Sequence, residues 1–366
     1  MYLFFFILIL VVLIVVHEFG HFSVAKLFGI KVEEFGIGFP PRLLSIKKGE
    51  TVYSVNLLFF GGFVKIFGED ANEGASDPRS FAHKPRIVQA AVIVAGIVMN
   101  LIFGWLALSA GYMAGLPTSV NHIGFGQVTG AHVTIVAILP NSPAQTAGLM
   151  ADDIIETLET GTAKLDTVTL NTSQQADVVR NFIADHGDES VVISVLRAGA
   201  EKTFLAKPAA GVVDGRKAIG VQLDDVGTLK LSPPLALVEG AILAYNMTVS
   251  TAQGLGTFFW QAVRGVADFS TVAGPIGIAG IGAQAVHTGF STAIVLTALI
   301  SINLALINIL PIPGLDGGRL LIIIIEGIIR RPISPRITTA VTIAGFALLI
   351  LLMIVVSYHD IARLIG

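Results

Sequence analysis

Apolar residues run without interruption from Met1 to Val16 and, after His17, Glu18 and His21, continue to Ala25. Such a run has no polar face, so neither a surface helix nor a half-buried strand accounts for it. Crossing a hydrocarbon core takes roughly 20 helical residues. Four segments reach that length, Tyr2–Ala25, Val88–Gly115, Phe290–Ile312 and Thr338–Ser357, and they predict four transmembrane helices. Met1–Ala25 holds no Lys or Arg, and no small-x-small site precedes His17, so the first segment reads as a retained helix rather than a signal peptide.

Between the second and third segments the pattern changes. "HVTIVAIL" alternates like a strand, and "SQQADVVRNFIADHG" starts at Ser173 and ends at Gly187 as a capped helix does. "SVVISVLRAGAEKTFLAKP" predicts a hairpin through Ala198-Gly199, and "KAIGVQLD" predicts a further strand. A soluble α+β domain is therefore expected over 118–230, with Pro233-Pro234 at its exit. Leu235–Val263, apolar on one side and interrupted by Asn246, Gln253 and Gly254, predicts an amphipathic element on the membrane surface within a region 231–289. Flanking these are an N-terminal membrane part, 1–117, and a C-terminal one, 290–366, each with two helices.

Composition agrees with a membrane protein: of 366 residues 53% are hydrophobic and 13% charged, and mean hydropathy is +0.78. A net charge of −3 gives no reason to expect a nucleic-acid partner. With no cysteine in the chain, disulfides, zinc-thiolate sites and cysteine nucleophiles are excluded, and a metal must sit on histidine and carboxylate. Lys26–Arg86 holds nine Lys/Arg and Arg319–Arg336 holds four, against one, Arg363, in the C-terminal tail. The basic loops are expected in the cytoplasm, with both termini and the α+β domain on the far side.

His17-Glu18-Phe19-Gly20-His21 fits H-E-x-x-H. Residues four apart share a helix face, so both imidazoles can reach one metal ion, while Glu18 projects to the neighbouring side and can take a proton from water. Ionisable groups inside a membrane helix are functional by default, and three of them in one turn call for a shared divalent cation. A hydrolytic zinc site takes three protein ligands. "NILPIPGLDGGRL", Asn308–Leu320, ends the third segment and offers Asp316 at the same depth as His21, since both helices run outside to inside. A plain C-cap at the membrane surface is the alternative reading of Asp316.

H-E-x-x-H on the first span together with Asn308, Pro311, Pro313, Leu315, Asp316 and Gly317 on a later one resembles the site-2 protease family, the M50-type intramembrane zinc metalloproteases, and within it the bacterial regulator-of-sigma-E protease type. Gly96-Ile97-Val98-Met99-Asn100 is similar to the family's G-x-x-x-N. "ILPNSPAQTAGLMADDIIETL" resembles the core of a PDZ domain, with Asp152 where that family's turn has glycine. The resemblance implies a polytopic α-helical membrane protein with four transmembrane helices, a membrane-re-entrant β-hairpin and one inserted extracytoplasmic α+β PDZ-like domain. It implies Zn2+ on His17, His21 and Asp316, Glu18 as general base, and Asn308 and Asn100 at the substrate. The hairpin falls on about 51–70, turning near Gly61-Gly62. With Phe63, these glycines are candidates for contact with a substrate strand, and Leu57–Phe60 would be poorly placed in water.

The implied activity is hydrolysis of peptide bonds in or near transmembrane segments of single-span membrane proteins. Membrane-bound anti-sigma factors or remnant signal peptides would be the substrates, in a bacterial inner membrane. The PDZ-like domain would filter substrates by size or read a peptide C-terminus. The alternative is a non-catalytic PDZ-bearing membrane adaptor with structural zinc. "GPIGIAG", Gly274–Gly280, reads as a tight loop, and the remaining histidines, His83, His122 and His287 among them, as surface or structural groups.

Overall fold

A computed structural model describes residues 1–69, 77–170, 174–213, 216–266, 274–331 and 333–365; the side chains at 59, 60, 213, 335 and 363–365 lie outside that description. In chain order the elements are α1 (Tyr2–Leu27), β1 (Val32–Lys48), β2 (Thr51–Ile66), α2 (Arg86–Ala114), β3 (Leu116–Ser119), β4 (Thr129–Ile138), α3 (Pro143–Ala147), β5 (Ile154–Glu159), β6 (Lys164–Asp166), α4 (Gln175–Asp185), β7 (Val191–Arg197), β8 (Ala200–Ala206), β9 (Ala209–Val213), β10 (Arg216–Ala218), β11 (Val221–Leu229), α5 (Pro233–Val263), α6 (Pro275–Thr288), α7 (Phe290–Asn308), α8 (Asp316–Ile329) and α9 (Pro335–Ile365). They form two compact units, Met1–Ser109 with Gly240–Gly366, and Ala110–Glu239.

In the first unit the four expected membrane helices are α1, α2, α7 and α9. Among the described residues a fifth helix, α5, is also long and apolar enough to cross a membrane. Leu235–Val263 is thus one continuous helix in which Asn246, Gln253 and Gly254 make no break. Its Leu243, Ala244 and Met247 pack with Leu101, Trp105 and Leu108 of α2 and with Ala298 and Ile302 of α7. "GPIGIAG" is not a loop but the start of α6, with Pro275 in its first turn. Proline is tolerated there because the first helical N–H groups have no intrahelical acceptor. Asp360 of α9 takes two of those donors, Gly274 N at 3.1 Å and Gly277 N at 2.8 Å.

The hairpin differs from expectation. Its turn is at Gly49-Glu50, where Gly49 has φ +65°, and its first strand is β1. Gly61 and Gly62 lie inside β2, and Asp70, the end of the expected hairpin, is outside the described residues. Both strands are long enough to be used twice. Glu34–Ile37 meets Gly62–Lys65 and also Val52–Val55, while Arg42–Lys48 meets Thr51–Asn56. The strand β1 bends at Pro40-Pro41, a pair that hides this segment from a strand pattern. Glu50 in the turn bonds Lys26 Nζ at 2.6 Å, whereas Gly62 faces Ile14 and Glu18. At about 1.5 Å per residue these levels are about 12–18 Å apart along α1.

The third span ends earlier than expected, at Asn308, and Asp316 opens a separate helix, α8, rather than capping α7. The Ile309–Leu315 turn folds tightly on that helix. A Cβ on Gly317 would collide with the carbonyls of Ile309 and Leu310, and one on Gly318 with that of Ile312. This close approach of backbone to backbone is why two glycines follow Asp316.

The second unit is built on a seven-stranded sheet ordered β3-β11-β4-β5-β7-β8, with β6 beside β5 and a separate β9–β10 pair. Alternating Val133/Ile135 and Val191/Ile193/Val195 face Val179 and Ile183 of α4 in its core. Ala198-Gly199 forms the expected hairpin turn with φ of 51° and 81°, as a two-residue turn between twisted strands requires. Ser173, the expected cap of α4, lies outside the described residues, and the side chain of Gln174, at the cap position, does not cap the helix. The donor at Ala176 N is taken instead by Asp225 Oδ1 of β11 at 2.9 Å. The stretch "KAIGVQLD" is divided between β10 and β11 at Gly220 (φ +84°).

Candidate metal centre

His17 and His21 lie one turn apart on α1, both 9% exposed, after a run of aliphatic and aromatic groups from Tyr2 to Val16. Helix α2 crosses this turn glycine to glycine. A Cβ on Gly20 would strike the Ala95 carbonyl, and one on Gly96 would strike His21 Nε2. That clearance lets α2 reach the outer nitrogens of both rings. His21 Nδ1 lies 2.9 Å from the Val92 carbonyl, which accepts only if Nδ1 carries the proton. His17 Nδ1 lies 3.2 Å from the side-chain amide of Asn100, a fully buried residue. With the amide turned so that Oδ1 faces the ring, Nδ1–H donates to Oδ1, which otherwise has no partner. Ser301 Oγ of α7 donates to the Asn100 carbonyl at 2.8 Å and ties this support to a third helix.

With both Nδ1 atoms protonated, both Nε2 atoms present lone pairs. They point at one place. His17 Nε2 is 3.1 Å and His21 Nε2 is 3.3 Å from the same Asp316 Oδ2, and 3.2 Å from each other. Asp316 Oδ2 is buried and has no hydrogen-bond partner. Two lone pairs and a carboxylate oxygen in mutual contact repel unless a cation lies among them. Two imidazoles and a carboxylate with all other donors satisfied are the ligand chemistry that zinc takes in hydrolytic sites, and second-shell bonds to the far ring nitrogens are their usual accompaniment.

The other expected site residues gather around this point. Asn308, the last residue of α7, has its amide 3.5 Å from His17 Nε2. Gly62 of β2 stands so close to α1 that a Cβ there would be 3.0 Å from Ile14 and 3.3 Å from Glu18 Cγ. Gly61 and Phe63 do not reach the histidines: Gly61 packs under Phe39, and Phe63 stacks on Phe39 and over Gly36. Sequence reasoning missed Ser301, Gly20, Gly96 as a spacer, the Val92 carbonyl and the whole of α8. Only the glycines in otherwise bulky apolar helices were a visible signal. His122 lies 3.4 Å from Glu239, and His287 sets its ring edge against Tyr2; among the described residues neither joins a cluster of three ligand groups.

The second unit carries a different feature, a cleft of about 450 Å³ between α4 and β10–β11, lined by Val136, Arg180, Ile183, Ile219, Val221 and Leu223. Strand β11 is paired with β4 along Val221–Val226, while β3 covers only Val226–Leu229 on its other side. Beyond β3, Val120 N donates to the Asp225 carbonyl at 2.9 Å and Arg180 donates to that of Leu223, so toward the cleft Val221–Asp224 has no strand partner among the described residues but is not a bare edge.

Comparison with known proteins gives the arrangement a family. The family model for peptidase family M50 matches residues 5–352. A protein of Synechocystis sp. named "Putative zinc metalloprotease slr1821" is 35% identical over 362 residues, covering 97% of this chain and 93% of its own. Its counterpart CPE1693 of Clostridium perfringens is 34% identical over 367 residues, with 99% and 98% covered. Zinc metalloprotease RasP of Oceanobacillus iheyensis is 29% identical over 446 residues, with 98% of each chain covered. The chain is a membrane protein with several apolar helices around a buried His-His-Asp cluster, and it belongs to peptidase family M50, the zinc metalloproteases of the site-2 protease group.

Proposed function

We propose that this metalloprotease cuts peptide bonds inside or beside the transmembrane segments of single-span membrane proteins, such as membrane-bound anti-sigma factors or remnant signal peptides. The observation that carries the reading is the meeting of His17 and His21, on a helix that is apolar throughout its first fifteen residues, with Asp316 of α8 at one point. These three residues would hold zinc, which supplies Lewis acidity toward the peptide carbonyl and brings the pKa of water toward about 7.

The rest is done by side chains and backbone of this chain. Glu18 accepts the proton of the attacking water and passes it to the leaving amine. Asn308, beside His17, holds the peptide near the scissile bond. The segment Gly62–Lys65 pairs with Glu34–Ile37 on one side only among the described residues, so it offers an edge to an unwound substrate next to Glu18. A helical substrate hides its peptide bonds, and pairing as a strand exposes them. Re-entry of this sheet into the bilayer is supported by its reach of about 12–18 Å along α1. It is supported too by exposed Phe39, Leu43, Leu44, Ile46, Leu57 and Leu58, which suit lipid better than water.

Four spans, α1, α2, α7 and α9, cross a bacterial inner membrane with both termini outside. In support, Lys26, Arg79, Arg86 and Arg319, at or near the ends of α1 and α2 that the loop charges place inside and on α8, all form ion pairs. Helix α5 lies at the outer surface. Gly240 near its start is against Ser109, toward the outer end of α2, and Gly274, soon after its end, is at the Asp360 level. The PDZ-like domain, 118–230, admits trimmed substrates and reads a peptide C-terminus in the cleft beside β11. Deleting Thr118–Lys230 should broaden cleavage to untrimmed substrates; unchanged selectivity rules that role out.

The test of the whole reading is Glu18→Gln. Zinc should stay at one per chain while cleavage is lost, and membrane peptides accumulating in cells with the variant identify the substrates. A variant that still cuts removes Glu18 from the reaction.

A further inference from the structure

Asp316 is the first residue of α8; Gly317 and Gly318 after it rest on the backbone of Ile309–Ile312, and side chains further along the helix hold its rotation on the other side. Residues three, four and seven positions on share its face. These are Arg319, Leu320 and Ile323. Leu320 and Ile323 pack into a core with Ala25 of α1, Val92 and Ile93 of α2 and Ile66 of β2. Arg319 forms an ion pair with the carboxylate of Glu69, and its second terminal nitrogen lies 3.5 Å from the Glu69 carbonyl. Its guanidinium also stands over Phe81, 5.9 Å from the ring centre. Phe81 N in turn donates to the Phe67 carbonyl at 2.8 Å, so the residues around Glu69 are themselves held. Glu69 lies three residues beyond the end of β2, the strand whose Gly62 faces Glu18.

Arg319 and Glu69 therefore connect two parts of the site that share no other polar bond among the described residues. One is the helix that presents the third metal ligand; the other is the strand edge beside the general base. An apolar contact tolerates sliding and rotation, whereas a guanidinium gripping both a carboxylate and a carbonyl of one residue does not.

We infer that Arg319 and Glu69 are positioning residues for the metal centre: their bond sets the rotation of α8 and thereby holds Asp316 on the two histidines. The inference rests on Asp316 being the third zinc ligand. Neither residue touches substrate or metal. The pair is partly exposed, with Arg319 at 40% and Glu69 at 24% side-chain exposure, so its weight in the overall fold is small.

The experiment is a double-mutant cycle on the full-length, zinc-loaded protein in detergent, with zinc transfer to EDTA as the readout. Arg319→Ala and Glu69→Ala should each speed zinc loss by on the order of tenfold, the lower end of what outer-shell partners of metal sites contribute. The double variant should be no faster than either single one, because both remove the same bond. Retention equal to the parent in both single variants overturns the proposal, as do strictly additive effects. A drop in the melting temperature of the zinc-free protein that accounts for the whole effect assigns the pair to the fold and also overturns it. Asp316→Asn is run beside them. If that variant keeps zinc like the parent, the ligand assignment itself has failed, and the two failures are told apart.

Discussion

Gly96 of α2 faces the ring of His21 with no room for a single carbon between its backbone and Nε2. Replacement by alanine cannot be absorbed by a flexible neighbour, since His21 is held from behind by the Val92 carbonyl. Gly96→Ala should therefore displace His21 from the cluster. Zinc content of the purified protein should fall well below one per chain, while helix content by circular dichroism stays at the parent level.

Asn100 supports His17 as Val92 supports His21, but through a side chain that can be removed. Asn100→Ala should weaken zinc binding by about 10–100-fold, the usual cost of losing an outer-shell partner. Ser301→Ala, which leaves the Asn100 side chain in place, should cost less. Competition with a chelator of known affinity measures both, and equal effects of the two substitutions would contradict this order.

Gly62→Val tests the strand edge without touching a metal ligand. The added methyl groups would crowd Ile14 and Glu18. Zinc content should remain at the parent value while cleavage of a membrane-embedded reporter substrate drops at least tenfold. Loss of zinc together with activity would instead place Gly62 among the supports of the histidines.

Asp152 occupies the left-handed region, φ +69°, at the position where the PDZ-like turn is expected to have glycine. A residue with a Cβ costs about 1 kcal/mol there, so Asp152→Gly should stabilise the second unit by about that amount. Burial, and then the neighbouring Asp153, push the Asp152 carboxyl above its ordinary value. An acid with a raised folded pKa contributes stability that is full below its unfolded value and is lost as pH rises through the folded one. The advantage of the glycine variant should therefore be smaller at pH 3 than at pH 7. Pulse proteolysis of the full-length protein at the two pH values reads the difference.

What was legible in the sequence was local. The spacing of His17 and His21 fixes their common face, and loop charges with segment order place Asp316 at their depth. Helix α8 is not legible because Arg319–Arg336 reads as a basic loop after the third segment, and only the backbone crowding at Gly317 and Gly318 marks a helix start. The sheet was misread for a related reason. Pro40-Pro41 breaks the alternation of β1, and a strand that pairs twice has no signature in its own sequence. The cap of α4 shows the same limit: Asp225 is the donor's partner only because β11 returns beside the helix, which no window around residue 174 can reveal.

The glycine crossing of α1 and α2 has a directional consequence. With Gly20 set against Ala95 and Gly96 against the imidazoles, that flank of the histidine pair is sealed by main chain. On the proposed reading a substrate strand comes to the histidines from another side, and Gly62 beside Glu18 marks one. Its reacting carbonyl would then meet Glu18 on the entry side, with the helix wall behind.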